Sequence, residues 1–234
     1  MHSFLKDYSG FYGTGENNTE GLSLDEFLKG YDPYKYKTPC CTTDAVVFSY
    51  DTELKKDLTG LKALFVKRSN HPCIGFWALP GGFIDMDEDL EATAKRELLE
   101  ETGVEDLPME QFAAYGDYDR DPRARIITAA YMALVEEHQV TVQAGDDAAD
   151  AAWCSVSVKE LSQCEENEKV VRELELHVVN EEKGIDTKAV VTHTRRKGLI
   201  HEEKYAVKER GTVACDHAAL IVQAVEILKG RLNK

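Results

Sequence analysis

An acidic segment bounded by two glycines constrains this chain more than any other part of its sequence. Residues 82–104 read GFIDMDEDLEATAKRELLEETGV. Glycine adopts backbone conformations that other residues avoid, so Gly82 and Gly103 predict a tight loop before a helix and a left-handed cap after it. Apolar residues recur every four positions between them, and this spacing predicts a stripe that packs the helix on a core. The residues of this stripe are Leu90, Ala94 and Leu98.

The same helix carries three carboxylates on one face. Glu97, Glu100 and Glu101 are three and four residues apart, so a helix brings them together beside Arg96. Carboxylates this close repel one another, and a multivalent cation is the simplest compensation. Oxygen ligands select Mg²⁺ or Mn²⁺, so we expect a metal site to which the Gly82 carbonyl also contributes. The alternative is a solvated acidic face, and the flanking glycines and the internal arginine argue against it.

The spacing of these residues resembles the signature of the Nudix hydrolases. That signature is Gly, five residues, Glu, seven residues, Arg-Glu, an apolar residue, any residue, Glu-Glu, any residue, Gly and an apolar residue. The chain matches it without departure at Gly82, Glu88, Arg96, Glu97, Leu98, Glu100, Glu101, Gly103 and Val104. The resemblance implies an α/β fold, the Nudix-type α/β/α sandwich with a mixed sheet. It also implies metal-dependent cleavage of a nucleoside diphosphate linked to another moiety.

The resemblance further implies a role for each residue of the segment. In such enzymes the positions that match Glu97, Glu100 and Glu101 hold the metal ions, and the position that matches Arg96 orients a glutamate through an ion pair. A metal-bound water attacks one phosphorus while a carboxylate accepts its proton. Glu97 is our first candidate for that base, and Glu88, at the start of the helix, is the second.

An arginine-rich segment is a candidate for substrate binding. In residues 115–125, Arg120, Arg123 and Arg125 alternate with aspartates, and guanidinium groups bind phosphate oxygens through paired hydrogen bonds. The alternative is a salt-bridged surface loop. The DRDPR core of this segment and residues 214–220, ACDHAAL, resemble a Nudix subgroup related to ADP-ribose pyrophosphatases. This favours ADP-ribose as the substrate, with AMP and ribose 5-phosphate as products.

Two further residues complete the set of candidates for substrate binding. Trp77 belongs to the run FWALPGG, which shapes the floor of the active site in the enzymes that the chain resembles. A core tryptophan before an ordinary turn is the alternative. Arg68, at the end of an expected strand, is the other candidate.

The remaining sequence predicts alternating strands and helices. We expect an N-terminal arm and short helix in residues 1–34, with Ser23 and Glu26 forming a capping box. A Nudix domain follows in residues 35–234. Within this domain we expect a segment that starts as a helix or turn at 156–163 and runs toward Val171. The expected strands are 42–50, 61–69, 124–135, a loop and strand at 147–156, 174–180, 188–195 and 203–210.

The end of the chain contains two further expected features. The short strands before the last helix form a strand-rich insertion at about 160–212. The last helix spans 216–232, with Asp216 at its N-cap. Together with the N-terminal arm, the extra strands lead us to expect a homodimer, because exposed strand edges pair with other chains. The alternative is that both cover their own domain.

Charge and hydropathy restrict the partners and the location of the protein. The formal net charge is −15, which disfavours non-specific binding to nucleic acids. Residues 183–210 alone carry a net charge of +4, from eight basic and four acidic side chains. They either hold an anionic ligand or form an exposed hairpin with solvated lysines. Because no apolar run approaches the ~18 residues of a membrane span and no secretion signal is recognisable, we expect a cytoplasmic protein with six reduced cysteines.

Transcriptional regulators in the same subgroup provide the main alternative function. They join a Nudix domain to a C-terminal winged helix, whereas here the Nudix box is intact and 17 residues follow His217. We expect about 60–70 residues for a winged helix. A third class is a sensor that binds ADP-ribose-like molecules without turnover. Other substrates, such as an oxidised dNTP or NADH, stay open.

Overall fold

The computed structural model describes residues 4–145, 148–200 and 202–234. The chain divides into two compact units, one ending at Thr38 and the other spanning Pro39–Lys234. Residue 147, where one predicted segment begins, lies outside the described residues, as do the first three residues of the predicted arm. The domain boundaries expected from the sequence stay a prediction.

The smaller unit contains the predicted short helix, α1 (Leu24–Gly30). Its capping box is confirmed: the Ser23 hydroxyl accepts the Glu26 N–H, and the Glu26 carboxylate accepts the Ser23 N–H at 2.9 Å. The hydroxyl groups of Tyr8 and Tyr12 both donate to Asp25. These bonds tie the residues before the helix to its first turn.

The larger unit is a mixed sheet with a helix packed on each face. In the described residues the sheet has ten strands in the order β10-β9-β8-β7-β2-β1-β6-β5, while the short strand β3 pairs with β2 and β4 pairs with β1. The strands are β1 (Cys40–Tyr50), β2 (Lys62–Arg68), β3 (Trp77–Ala78), β4 (Gly81–Phe83), β5 (Glu110–Tyr115), β6 (Ile126–Glu136), β7 (Ala148–Glu166), β8 (Lys169–Asn180), β9 (Ile185–Arg196) and β10 (Glu203–Glu209). The helices are α2 (Leu90–Thr102) and α3 (His217–Leu232).

Strand β1 organises the layers because its residues 42–49 are all buried. Side chains alternate across a strand. On one face, Ala45 and Val47 join an apolar cluster with α2, and on the other face Val46 and Phe48 join a larger cluster with α3. Each fully buried side chain of this kind contributes about 1.5–3 kcal/mol. Since β1 pairs in parallel with β6 and antiparallel with β2 and β4, the mixed sheet and the helix–sheet–helix layers predicted from the sequence are confirmed.

One predicted element is wrong. Residues 156–163 do not begin a helix or turn but belong to β7, which continues to Glu166 and pairs antiparallel with β8. A bulge between Glu160 and Ser162 interrupts the alternation of side chains, so the pattern around Leu161 did not indicate a strand. Asn167 and Glu168 then form a two-residue turn with φ values of 49° and 63°, the conformation that a tight hairpin needs.

The strands before the last helix are confirmed: β8 and β9 are longer than predicted, and β10 ends one residue earlier. In β9 the inward-facing residues alternate with outward-facing ones, and its apolar side joins the cluster that contains α3. Lysines of the basic stretch pair with nearby carboxylates: Lys183 with Asp150, Lys188 with Glu175, Lys204 with Asp117 and Lys208 with Glu173. This supports a solvated surface rather than an anion site.

The last helix is confirmed, but its cap differs from the prediction. Asp216 occupies the N-cap position and its side chain makes no capping hydrogen bond. Its carboxylate instead pairs with Arg120, so this side chain connects the helix to a loop. No helix in the described part of the chain is long and apolar enough to cross a membrane.

Candidate active site

Arg96 is the centre of an ion-pair network on α2. Its Nε lies 2.9 Å from Glu88, and its Nη1 lies 2.7 Å from Glu97 and 3.0 Å from Glu100. Its Nη2 donates to the carbonyl oxygen of Phe83 at 3.1 Å. The arginine therefore ties the helix to the loop that precedes it. The hydrogen bonds from Arg96 also hold the pKa of Glu88 below its ordinary value.

Two other carboxylates of the helix, Glu97 and Glu101, lie near each other and are partly buried, whereas Glu100 is exposed. Burial raises the pKa of Glu97 even though Arg96 opposes the shift. Burial, together with the nearby charges of Glu97 and Asp44, raises the pKa of Glu101 to about 7, while the Gly81 N–H, which donates to Glu101 at 3.0 Å, opposes the rise. A carboxylate whose ionisation costs free energy in this way indicates uncompensated negative charge.

Gly82 is necessary for this arrangement because of space. A Cβ atom at this position would lie 2.4 Å from the carboxylate of Glu97, closer than any side chain allows. The absence of a side chain lets the carboxylate lie against the backbone of β4. The helix ends as predicted, with Gly103 in the left-handed conformation at φ 71° and its N–H bonded to the Leu99 carbonyl oxygen.

The donor set fits a hard cation, although the described part of the chain contains no preformed metal cluster. In the described residues, no three His, Cys, Asp or Glu side chains are arranged closely enough to hold an ion. Arg96 occupies acceptor oxygens of Glu97 and Glu100, and the Gly81 N–H occupies one of Glu101. The crowded, partly buried carboxylates are nevertheless the oxygen ligands that Mg²⁺ and Mn²⁺ take. The metal ligands expected from the sequence stay a prediction.

A cavity of about 350 Å³ lies beside this network. It is lined by residues of the central strands, the loop before β3, the arginine-rich loop and the start of α3. Of the sequence-predicted candidates, those on its wall are Arg68, Gly82, Glu101, Arg120 and Arg123. Among the described residues, Glu88, Arg96, Glu97, Glu100, Arg125 and Trp77 are not part of this wall.

The three predicted arginines have different environments. Arg120 has a side chain only 6% exposed, bonded to both Asp216 oxygens at 2.8 and 2.9 Å and 3.6 Å from Asp44. Arg123 is 44% exposed, pairs with Asp121 and lies over the Phe83 ring. Arg125 donates to the carbonyl oxygens of Gly116 and Asp117 and so holds the loop. Of the three, Arg123 is the cavity-lining guanidinium with the most solvent access.

The other two candidates for substrate binding, Trp77 and Arg68, also have different environments. Trp77 is 6% exposed in the core, and its backbone bonds to Thr212 and Ala214. Arg68 lines the cavity, and its Nε donates to the Pro72 carbonyl oxygen at 2.7 Å.

The structure adds three residues, Asp44, Asp216 and His217, that were not predicted from the sequence as site residues. Asp44 is 7% exposed on β1 and lines the cavity. The Nδ1 of His217 accepts the Leu79 N–H at 2.8 Å, so the neutral ring carries its proton on Nε2, which lies 3.6 Å from Asp44. Together with Asp216, Asp44 and His217 connect the start of α3 to the loop before α2. An aspartate in an otherwise apolar strand was the available signal for Asp44, since buried carboxylates need partners.

Comparison with known proteins now gives the family. A family model described as "NUDIX domain" matches residues 42–174, which are 133 of the 234 residues. The chain belongs to the Nudix family. The match contains the whole glycine-bounded segment and the arginine-rich loop.

Two curated relatives have different functions. The chain is 41% identical over 115 residues to the "ADPR responsive transcriptional repressor NtrR" of Acinetobacter baylyi, covering 48% of this chain and 44% of the repressor. It is 38% identical over 92 residues to the "ADP-ribose pyrophosphatase" of Methanocaldococcus jannaschii, covering 39% of this chain and 53% of that enzyme. The chain thus spans about half the length of the curated relatives it matches.

Two solved structures extend the comparison. A MutT/nudix family protein from Enterococcus faecalis has a TM-score of 0.62 and 26% identity, covering 96% of this chain and 75% of that chain. The NUDIX domain of Shewanella oneidensis NrtR, solved with ADP ribose, has a TM-score of 0.50 and 39% identity, covering 56% of this chain and 82% of that chain. The first similarity covers nearly the whole chain, and the second covers little more than half of it.

Proposed function

We propose that this protein is a divalent-metal-dependent Nudix hydrolase that cleaves ADP-ribose to AMP and ribose 5-phosphate. The observation that carries the proposal is the intact Nudix box folded beside a cavity, with Glu101 on the cavity wall and Arg96 bridging Glu88 and Glu97. The relative named ADP-ribose pyrophosphatase supports the reaction. The solved Nudix domain that contains ADP ribose supports the ligand.

The residues of α2 and of the preceding strand β4 have metal-holding and proton-accepting roles, and Glu97 is a candidate for both. Glu97, Glu100, Glu101 and the Gly82 carbonyl would hold Mg²⁺ or Mn²⁺. A bound cation of this kind neutralises charge on the diphosphate oxygens and makes water more acidic. Glu97, whose pKa burial raises, is our first candidate for the base that accepts the proton of the attacking water.

Glu88 fits an orienting role better than that of a base. Its carboxylate is held by Arg96 and by the Thr93 hydroxyl at 2.9 Å, and these hydrogen bonds lower its pKa. A base with a lowered pKa accepts protons poorly. We therefore assign Glu88 to fixing Arg96, and through it Glu97.

Two arginines on the cavity wall are suited to the diphosphate. Arg123 has the most accessible guanidinium of the loop, and Arg68 approaches from the end of β2. Arg120 is already bonded to Asp216 through two hydrogen bonds, so we assign it to positioning the loop. Trp77 keeps the loop before α2 on the core, and Arg125 keeps the arginine-rich loop folded.

The test is a substrate panel with purified protein and Mg²⁺. AMP and ribose 5-phosphate, separated by chromatography, should form from ADP-ribose faster than products form from NADH or an oxidised dNTP. A folded protein that turns over none of these compounds would falsify the enzyme proposal. If another compound is cleaved faster, the proposal of a hydrolase is kept and that compound replaces ADP-ribose as its substrate.

A regulator or a sensor without turnover is the second candidate, because one relative is an ADPR-responsive repressor. The net charge of −15 disfavours DNA binding. Calorimetry with ADP-ribose and a gel shift with duplex DNA at physiological salt distinguish the candidates. Binding without hydrolysis identifies a sensor, and an ADP-ribose-dependent shift identifies a repressor.

We also propose that the protein is a cytoplasmic homodimer. Strands β10 and β5 are the two ends of the sheet, and the backbone groups at such edges can pair with a second copy. Sedimentation equilibrium measures the mass directly. A monomer at micromolar concentration would contradict the dimer.

A further inference from the structure

Two cysteines distant in sequence meet at the edge of the cavity. Cys73 lies in the loop between β2 and β3, and Cys215 lies directly before α3, 142 residues further along the chain. Their Sγ atoms are 4.0 Å apart. Both side chains pack against a small apolar cluster formed by Val66, Ala78 and Ala214. The fold therefore holds two free thiols together where one of them lines the cavity.

The geometry is close to that of a disulfide. An S–S bond is about 2.05 Å long, so the sulfur atoms have to approach by about 2 Å. Both cysteines are partly accessible, which lets a small oxidant reach them. By contrast, Cys154 is buried and out of reach of such an oxidant.

We propose that Cys73 and Cys215 form a reversible disulfide that switches off the cavity, with a peroxide as the oxidant. One thiolate attacks a peroxide oxygen, the O–O bond breaks, and a sulfenic acid and water form. The second thiol then attacks the sulfenic sulfur, the S–S bond forms and a second water leaves. In total, two thiols lose two electrons and two protons to hydrogen peroxide, which becomes two water molecules.

The environment of the pair limits the reactivity of Cys215. Burial and the neighbouring Cys73 raise the pKa of the Cys215 thiol to about 12. Since the thiolate is the nucleophile in such reactions, burial makes Cys215 a slow nucleophile. Either order of attack gives the same disulfide, because the two sulfur atoms lie 4.0 Å apart.

The consequence for the cavity follows from the residues next to Cys215. Asp216 holds Arg120, and His217 accepts the Leu79 N–H. Cys215 itself has a φ of 47°, a conformation that non-glycine residues adopt only where surrounding contacts impose it. Moving its sulfur toward Cys73 displaces the segment that fixes both the arginine-rich loop and the loop before α2. The effect on turnover rests on the proposed function, whereas formation of the disulfide does not.

The bond is tested by peptide mapping of the full-length protein. Reduced protein is treated with hydrogen peroxide, its free thiols are alkylated, and the digest is analysed by mass spectrometry. We expect a linked Cys73–Cys215 peptide pair, lighter by two hydrogen atoms than the two reduced peptides and lost after dithiothreitol. Cys73→Ser and Cys215→Ser should each abolish it, while Cys164→Ser, at an exposed cysteine on β7, should leave it unchanged. Alkylation of both thiols after peroxide treatment would overturn the proposal.

The regulatory effect is measured separately on the same samples. Oxidation should lower the initial rate of ADP-ribose cleavage by at least about tenfold, dithiothreitol should restore it, and Cys73→Ser should keep its rate after peroxide. If the linked peptide forms but the rate of ADP-ribose cleavage is unchanged, the switch is overturned. The proposed hydrolase function is not affected by that result. If the reduced protein cleaves no ADP-ribose, the proposed function has failed. The switch is then tested by the affinity for ADP-ribose, which should be about tenfold weaker after oxidation.

Discussion

The segment around α2 and the strands β7–β10 use charged residues in opposite ways. On α2, Glu97 and Glu101 lie near each other and are partly buried, and burial raises the pKa of both carboxyl groups. On β7–β10, lysines and glutamates pair across the outer surface while an apolar face packs on α3. Clustered charge of the first kind costs stability and indicates chemistry. The paired lysines and glutamates of the second region indicate a solvated surface. We call strands β7–β10 the frame.

Helix α3 connects the two regions. Its apolar residues pack against the inner face of the extra strands, and Asp216 and His217 at its start reach Arg120 and Leu79 beside the cavity. The strand-rich region therefore acts on the site through the placement of this helix. Changes in the two regions should separate into losses of activity and losses of stability.

The largest effect is expected at Glu101. Glu101→Gln removes a proposed metal ligand but keeps an oxygen that can accept the Gly81 N–H. We expect ADP-ribose cleavage to fall by roughly 10²–10³-fold, about 3–4 kcal/mol of transition-state stabilisation. The free energy of unfolding should not decrease, because ionisation of this buried carboxylate opposes folding. Steady-state kinetics and chemical denaturation measure the two quantities.

The matched control is Glu105→Gln, an exposed residue just after the helix, which should keep its activity. A Glu101→Gln enzyme with full activity would remove Glu101 from the metal site. A large loss of stability would show that the carboxylate holds the fold, contrary to its raised pKa.

The next effect is expected in the frame. Leu176 on β8 is fully buried in the cluster that contains α3, so Leu176→Ala leaves a cavity. We expect the free energy of unfolding to fall by about 3 kcal/mol. Leu161→Ala, at a residue 47% exposed beside the β7 bulge, should change it by less than about 0.5 kcal/mol. Denaturant titrations check both, and equal losses would mean that the far end of the hairpin is part of the core.

The connection between the regions is tested at Asp216. Asp216→Asn leaves the nearly buried Arg120 with Asp44 at 3.6 Å as its remaining anionic partner. We expect a loss of about 2 kcal/mol in the free energy of unfolding, together with lower activity. Glu110→Gln breaks the exposed pair with Arg231 and should cost less than about 1 kcal/mol. Similar small losses in both variants would show that Arg120 needs no anionic partner.

The sequence predicted the shared helical face of α2 better than the position of the arginines. The spacing of Glu97, Glu100 and Glu101 identifies one helical face without knowledge of the rest of the fold. The partner of Arg120 is Asp216, 96 residues away, and local alternation with aspartates cannot indicate such a contact. The same reason applies to Cys73 and Cys215, which showed no recognisable spacing.

The second half of strand β7, from residue 156 onward, was missed for a different physical reason. Secondary-structure patterns assume an uninterrupted alternation of side chains, and the bulge at Glu160 and Ser162 shifts this alternation by one residue. Pairing with β8 from Ser155 to Glu166 then decides the conformation of this part of β7. By contrast, β1 has no bulge in its pairing with β6, and its apolar run was sufficient to predict it.

The smallest effect is expected at His193, a titratable group of the frame. Its ring is 3% exposed and stacks on Tyr205. Arg172 donates to its Nδ1, so Nε2 carries the proton and donates to Glu203 at 2.6 Å; Glu226 in turn pairs with Arg172. Burial lowers the pKa of His193, although Glu203 opposes the shift.

The sign of the pH dependence follows from that lowered pKa. Below the unfolded-state value of about 6.5, the unfolded chain takes up a proton that the folded chain refuses. His193 therefore contributes stability above this pH and loses it as the pH falls, with a slope of at most about 1.4 kcal/mol per pH unit. In His193→Gln the unfolding free energy should fall less steeply between pH 8 and pH 5. Parallel curves for the wild type and the variant would mean that the buried ring accepts its proton within the frame, as an exposed histidine does.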